Sequence, residues 1–279
     1  MPLRQAWHRL SRSPLTVAGI GIVMLVIVVM LLAPAIAPYD PNRLSLAVRL
    51  APPSWQHVFG TDEVGRDLFS RVIFGSRASV VAGLVTVALS LTVGAILGAL
   101  SGLAGGWLDS LIMRSMDVLL AFPSFILAMA LAAALGPSLV NAILPIAIVR
   151  TPFYVRLARG QALSLRERAY VRAAETFGAS AWHITRRHLL PNSMPPLIVQ
   201  ATLDVGLAIL AVSALSFIGL GAQQPTAEWG AMVATGRAYF LDQWWYPTFP
   251  GLAILVTAIG FNLLGDGLRE FLDPRMRGR

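Results

Sequence analysis

The chain reads as an all-α membrane protein with six spanning helices, and three observations carry that expectation. It is 56% hydrophobic and only 13% charged over 279 residues, too apolar for a soluble domain of that length. Its uncharged runs reach the ~20 residues needed to cross ~30 Å of hydrocarbon. Its arginines gather at the ends of those runs. All 22 basic residues are Arg and the net charge is +8, but their placement marks topology rather than a nucleic-acid surface, so no nucleic-acid partner is expected. The absence of Cys excludes disulfide and thiolate chemistry.

The first run, 13–39, follows a basic tail, 1–12, with Arg4, Arg9 and Arg12. Ala35 to Ala37 imitates a signal-peptide cleavage site, yet Leu15 to Ala33 exceeds the roughly 7–15 apolar residues of such a peptide, so the run is read as an uncleaved first helix. Residues 40–77 then form an external segment of nearly balanced charge. The core, 78–268, begins with a second span, Ala78 to Leu108. Its Gly94, Gly98 and Gly102 either let a neighbouring backbone come close or merely loosen the helix.

A third run, Val118 to Val149, would be ~48 Å long as one helix. Gly136-Pro137 divides it into two spans joined by a tight turn. The fourth helix runs from Leu139 to Phe153 or beyond, with Arg150 placed to snorkel toward the cytosol. The fifth span covers Met194 to Gly219, interrupted by Asp204, and the sixth covers Trp245 to Leu264. Between Arg150 and Arg187 stand eight Arg against Glu167 and Glu175, whereas the 221–244 loop has Arg237 against Glu228 and Asp242. The 156–191 loop and both tails, 1–12 and 269–279, are therefore expected in the cytosol.

No catalytic constellation is present. The histidines at 8, 57, 183 and 188 are scattered, and His183 and His188, five apart, do not share a face of an α-helix. There is no HExxH, GxxxxGK[ST] or GxSxG, so the chain is expected to be neither an enzyme nor a nucleotide binder. In the basic loop, Arg166 to Gly178 has helix-forming composition with an apolar stripe of Ala169, Ala173, Ala174 and Phe177. Gly178 acts as a stop, and a second basic stretch leads to Leu190-Pro191. Such a helix fits a groove on a soluble partner or rests on anionic lipid, and spacing does not choose between them.

At this loop the sequence resembles the cytoplasmic signature of bacterial ABC importer permeases: EAA, three residues, G, nine residues, I, one residue, LP. Ala173-Ala174, Gly178 and Leu190-Pro191 match it; Arg172 replaces the Glu and His188 the Ile. Three more segments are similar to the second permease of dipeptide, oligopeptide and nickel importers. They are Gly60 to Asp67 with Ser70-Arg71 and Gly75 to Arg77, Leu215 to Gly221 with Glu228-Trp229-Gly230, and Phe261 to Arg269 with Leu272-Asp273-Pro274. The resemblance implies a type I ABC importer permease fold whose coupling helix docks on an ATPase through Arg172, Ala173, Ala174, Gly178, Leu190 and Pro191. It implies a paralogous permease, two ABC ATPase subunits that carry ATP and Mg, an external solute-binding protein and the lipid bilayer of a bacterial inner membrane as partners. No cofactor or metal is expected on this chain itself. The cargo implied is a di- or oligopeptide, with nickel or a metal chelate as the alternative. A self-sufficient secondary transporter would need an ion relay and internal repeats.

Four residues are candidates for the translocation pathway. Asp204, ~15 Å into its span, is costly there by at least ~2.5 kcal/mol and must face a wet cavity or a partner group. It is read either as a wall contact for the cationic end of a peptide or as a hydrogen-bonded tie to Gln200 and Thr202 or to the partner permease. Asn141 and Asn262 are buried amides suited to interhelical hydrogen bonds. Trp229, Tyr239 and Trp244 are interfacial anchors or a docking surface for the binding protein. Asp62, Arg66, Asp67 and Arg71 are expected to form local ion pairs that fix the entry to the second helix.

Overall fold

The computed structural model describes residues 13–272; the expected basic tail with Arg4, Arg9 and Arg12, and Asp273-Pro274 of the closing motif, lie outside them. Helix α1, Pro14–Ile36, starts where Ser13 accepts from the amide of Thr16 at 3.4 Å. It buries little besides Thr16, Gly19, Val23 and Ala33 and lies on the outside of the bundle. The segment after it, which contains a 3-10 turn at Leu46–Val48, leads into α2, Leu68–Ala104.

Helix α2 begins at Leu68, not at Ala78, because the arginines that end the uncharged run do not end the helix. Asp67 caps it, accepting from Ser70 N at 2.8 Å and Ser70 Oγ at 2.7 Å. Arg71, 1% exposed, sits 3.7 Å from the buried Asp62, and Arg77 donates to the carbonyls of Met30 and Leu31 at 2.9 and 3.2 Å, closing the end of α1. Asp62, Arg66 and Arg71 therefore form the expected ion pairs, and Arg66 also joins Glu63 and Gln224, the last from the far end of the sequence; Asp67 stands outside that group, pairing with His57 at 2.9 Å because its carboxylate caps the helix.

The third span differs from the expectation. Helix α3, Gly106–Leu120, and helix α4, Ser124–Leu135, meet at an 89° bend. Pro123 lacks an amide donor and pushes Phe122 out of helical conformation, so the chain breaks before the anticipated Gly136-Pro137 as well as at it. Twelve residues make α4 only ~18 Å long, short of a full crossing. Helix α5, Leu139–Arg166, follows a turn in which Gly136 has φ +85°.

Beyond α5 come the short helices α6, Ala169–Thr176, and α7, Ala181–Ile184. A π-helical turn, Thr185–Leu189, runs straight into α8, Leu190–Phe217, so the second basic stretch is the first part of a long helix. Helix α9, Trp229–Gly236, and α10, Trp245–Leu272, complete the chain. Among the described residues five helices are long and apolar enough to cross a membrane, and the bent pair would make a sixth.

The glycine question resolves toward close approach. A Cβ on Gly94, Gly98 or Gly102 would come within 3.0 Å of Tyr154, Val155 or Ala162 of α5, so α2 and α5 pack backbone to backbone. Around that pair, α8, α10 and α1 supply Leu197, Ile209, Phe261 and Val23 to the main core.

Candidate functional site: a presented loop helix and a buried charge network

Helix α6 hangs between the ends of α5 and α8 and is seated by one small core. Val171 is fully buried against Leu103, Ala162, Ile184 and Leu189, with Ala174 packed beside them. The helix ends as its composition requires: Gly178 has φ +77°, and Ala179 N donates to Ala174 O at 3.0 Å, a six-to-one closure that a left-handed glycine permits. Of the expected stripe only Ala174 faces inward. Ala169 and Ala173 are exposed and Phe177 is 90% exposed; the inward positions are Val171 and Ala174, because the packing stripe follows Val171 and its neighbour three residues on.

The loop therefore presents apolar side chains set among exposed arginines. Phe177, Tyr170 and Trp182 stand exposed beside Ala173. Arg172, the departure from the family pattern, pairs with Glu167 at the surface, where such a pair contributes at most ~1 kcal/mol. Leu190 packs on the main core, and Pro191 opens the first turn of α8 on the exposed side. His183 and His188, five apart, nevertheless come together: the π turn widens the helix, so their ring centroids lie 6.3 Å apart and Tyr170 lies 5.9 Å from His188.

Asp204 is 1% exposed at the middle of α8. Its partners are neither Gln200 nor Thr202. Arg150 Nε donates to Oδ2 at 3.2 Å and Arg150 Nη2 donates to Oδ1, while the Tyr154 hydroxyl donates to Oδ2 at 2.9 Å. Arg150 thus turns inward instead of snorkelling outward. The sequence carried a signal for this: Arg150 and Tyr154 are four apart on one helix, hence on one face, opposite a lone acid at similar depth. Gln200 lies one turn before Asp204 and is partly exposed. Asn141 is not deep in the bundle; its Nδ2 donates to Leu135 O and Gly136 O at 2.8 and 3.0 Å, fastening the α4–α5 turn. Asn262 donates to Ala258 O within its own helix at 2.9 Å.

The aromatic candidates separate. Trp229 is 3% exposed and donates from Nε1 to Val72 O at 2.8 Å, so it is a core residue and not a docking surface. Its neighbour Glu228, fully buried, caps α9 through Gly230 N and Ala231 N at 3.0 and 2.8 Å and accepts from Ser79 and Ser213. That buried carboxylate was not anticipated. Tyr239 stacks at 6.0 Å on Tyr246, and Trp244 is 52% exposed.

A helical bundle with a short helix held out between two spanning helices, and a neutralised charge pair at mid-span, has a build that suits a transport subunit. Comparison with known proteins agrees. Residues 94–278 match the family described as binding-protein-dependent transport system inner membrane component, and residues 1–53 match the N-terminal transmembrane domain of oligopeptide transport permease C. A probable D,D-dipeptide transport system permease of Escherichia coli (strain K12) is 63% identical over 97% of this chain and 91% of its own length. A di/tripeptide transport system permease of Pseudomonas aeruginosa (strain UCBPP-PA14) is 44% identical over 99% and 93%. A glutathione transport system permease of Pectobacterium atrosepticum is 40% identical over 99% and 92%. The chain belongs to the inner-membrane permeases of binding-protein-dependent transport systems, and it is a multi-pass membrane protein of the type I ABC permease fold.

Proposed function

We propose that this chain is one half of the translocation pathway of an ATP-driven importer of di- and oligopeptides. A paralogous permease supplies the other half. Two ATPase subunits, which hold ATP and Mg, grip the loop helix α6 from the cytosol, where both termini also lie, and an external solute-binding protein delivers cargo to the opposite face. The observation that carries the reading is the geometry of α6: its inner face is anchored by Val171 while Phe177 and Ala173 face outward, the arrangement a helix-in-groove contact needs. The peptide relatives support the cargo class.

ATP binding and release would then swing α6 together with the ends of α5 and α8, and the bundle would open alternately to either side. The test is reconstitution. Co-expression with the paralogous permease, ATPases and binding protein encoded beside it should yield a complex that takes up labelled dipeptide only with ATP. A chain that purifies and transports alone would overturn the proposal.

A further inference from the structure

Arg150 does more than the neutralisation of Asp204 requires. It stands eleven residues after Leu139 in α5, about 16 Å along that helix, and its side chain is 33% exposed against 1% for Asp204. Asp204 takes Nε and Nη2, and Tyr154 holds the same carboxylate from the inner side. Among the described residues no protein acceptor is assigned to Nη1. Helix α4 covers α5 through Ala128 and Ala132 against Ala142, Ile146 and Val149; past Val149, Phe153, Arg156 and Gly160 are exposed. Arg150 follows directly on that covered stretch, and its side chain is partly exposed there.

An open guanidinium edge at that depth is costly against hydrocarbon and needs a polar or anionic group to meet it. The chemistry it selects is a planar carboxylate, which the guanidinium fork receives with charge-assisted hydrogen bonds. On the peptide-import reading given above, we propose that Arg150, positioned by Asp204 and Tyr154, receives the C-terminal carboxylate of the peptide cargo part-way across the membrane. That carboxylate is common to all free peptides, so a site for it accepts cargo without regard to side chains.

The test compares uptake of a dipeptide with that of its C-terminal amide in proteoliposomes of the whole transporter. Wild type is compared with the double variant Arg150→Gln, Asp204→Asn. The double variant keeps a hydrogen-bonding pair and leaves no buried carboxylate unpaired, and because the binding protein is identical in both, its own preference cancels from the comparison. The expected result is a fall of about tenfold or more in the ratio of free-acid to amide uptake, the scale of one charge-assisted hydrogen bond. An unchanged ratio overturns the site, as does loss of both cargoes alike, and leaves Arg150 as a counter-ion only or as a contact to the partner permease. Wild type that imports neither peptide overturns the peptide-import reading itself.

Discussion

Gly98 lies against the backbone of Val155: a Cβ on Gly98 would come within 3.0 Å of the Val155 carbonyl and of Ala158. Helices α2 and α5 therefore touch without intervening side chains, and neither can be shifted independently there. Gly98→Val should destabilise the detergent-solubilised protein by at least ~1–3 kcal/mol through overpacking, read as a fall in melting temperature. Gly160 has open space where a Cβ would lie, so Gly160→Ala should be neutral or slightly stabilising, by up to ~1 kcal/mol. Equal effects at the two positions would contradict the close packing.

Among the described residues Asp62 is the only carboxylate within 4 Å of both Arg66 and Arg71, all three being almost fully buried. Asp62→Ala leaves uncompensated charge and is expected to cost ~3–5 kcal/mol. Denaturant or thermal unfolding in detergent measures this, and a loss below ~1 kcal/mol would show the cluster to be incidental.

The two tryptophans at the edges of the 221–244 loop should behave oppositely. Trp229→Ala removes a buried ring and its hydrogen bond to Val72, at ~3–5 kcal/mol. Trp244→Ala, at a half-exposed position, should stay within ~0.5 kcal/mol of wild type. The same melting measurement decides both.

Much of the architecture was legible because hydrocarbon imposes length and composition on whatever crosses it. The first, fourth, fifth and sixth spans follow directly from their apolar runs. The failures share a cause. Arg71 and Arg77 looked like a helix boundary, but their partners, Asp62 and the carbonyls closing α1, come from other parts of the chain. Arg150 looked surface-bound because Asp204 is 54 residues away in sequence. The stripe on α6 was assigned to Phe177 and three alanines that tolerate either face, whereas Val171, the β-branched residue among them, is the one that is buried. The break before Ser124 has its own local signal in Pro123, which the reading built on Gly136-Pro137 alone passed over.

Gly178 closes α6 at φ +77°, a conformation that costs other residues ~1–2 kcal/mol. Gly178→Val should therefore tilt or fray the loop helix with little change in global stability, and in the reconstituted importer ATP hydrolysis should no longer drive uptake. Phe177→Ala, at a fully presented position, should weaken retention of the ATPases on a column while the melting temperature is preserved. Normal uptake by the first variant and normal retention by the second would sink the docking role of α6.

Helix α2 has 37 residues, so it measures ~55 Å, nearly twice the ~30 Å of hydrocarbon it must cross. At one end Arg71 is clamped by Asp62 and Pro41; at the other Leu103 sits beneath Val171 of α6. A single uninterrupted rod thus touches both faces of the barrier. In the importer proposed above, a push at the Arg71 end and a pull on the loop helix would act on the same solid object, so news of an arriving cargo and of a spent nucleotide would be exchanged along its length without any hinge between them.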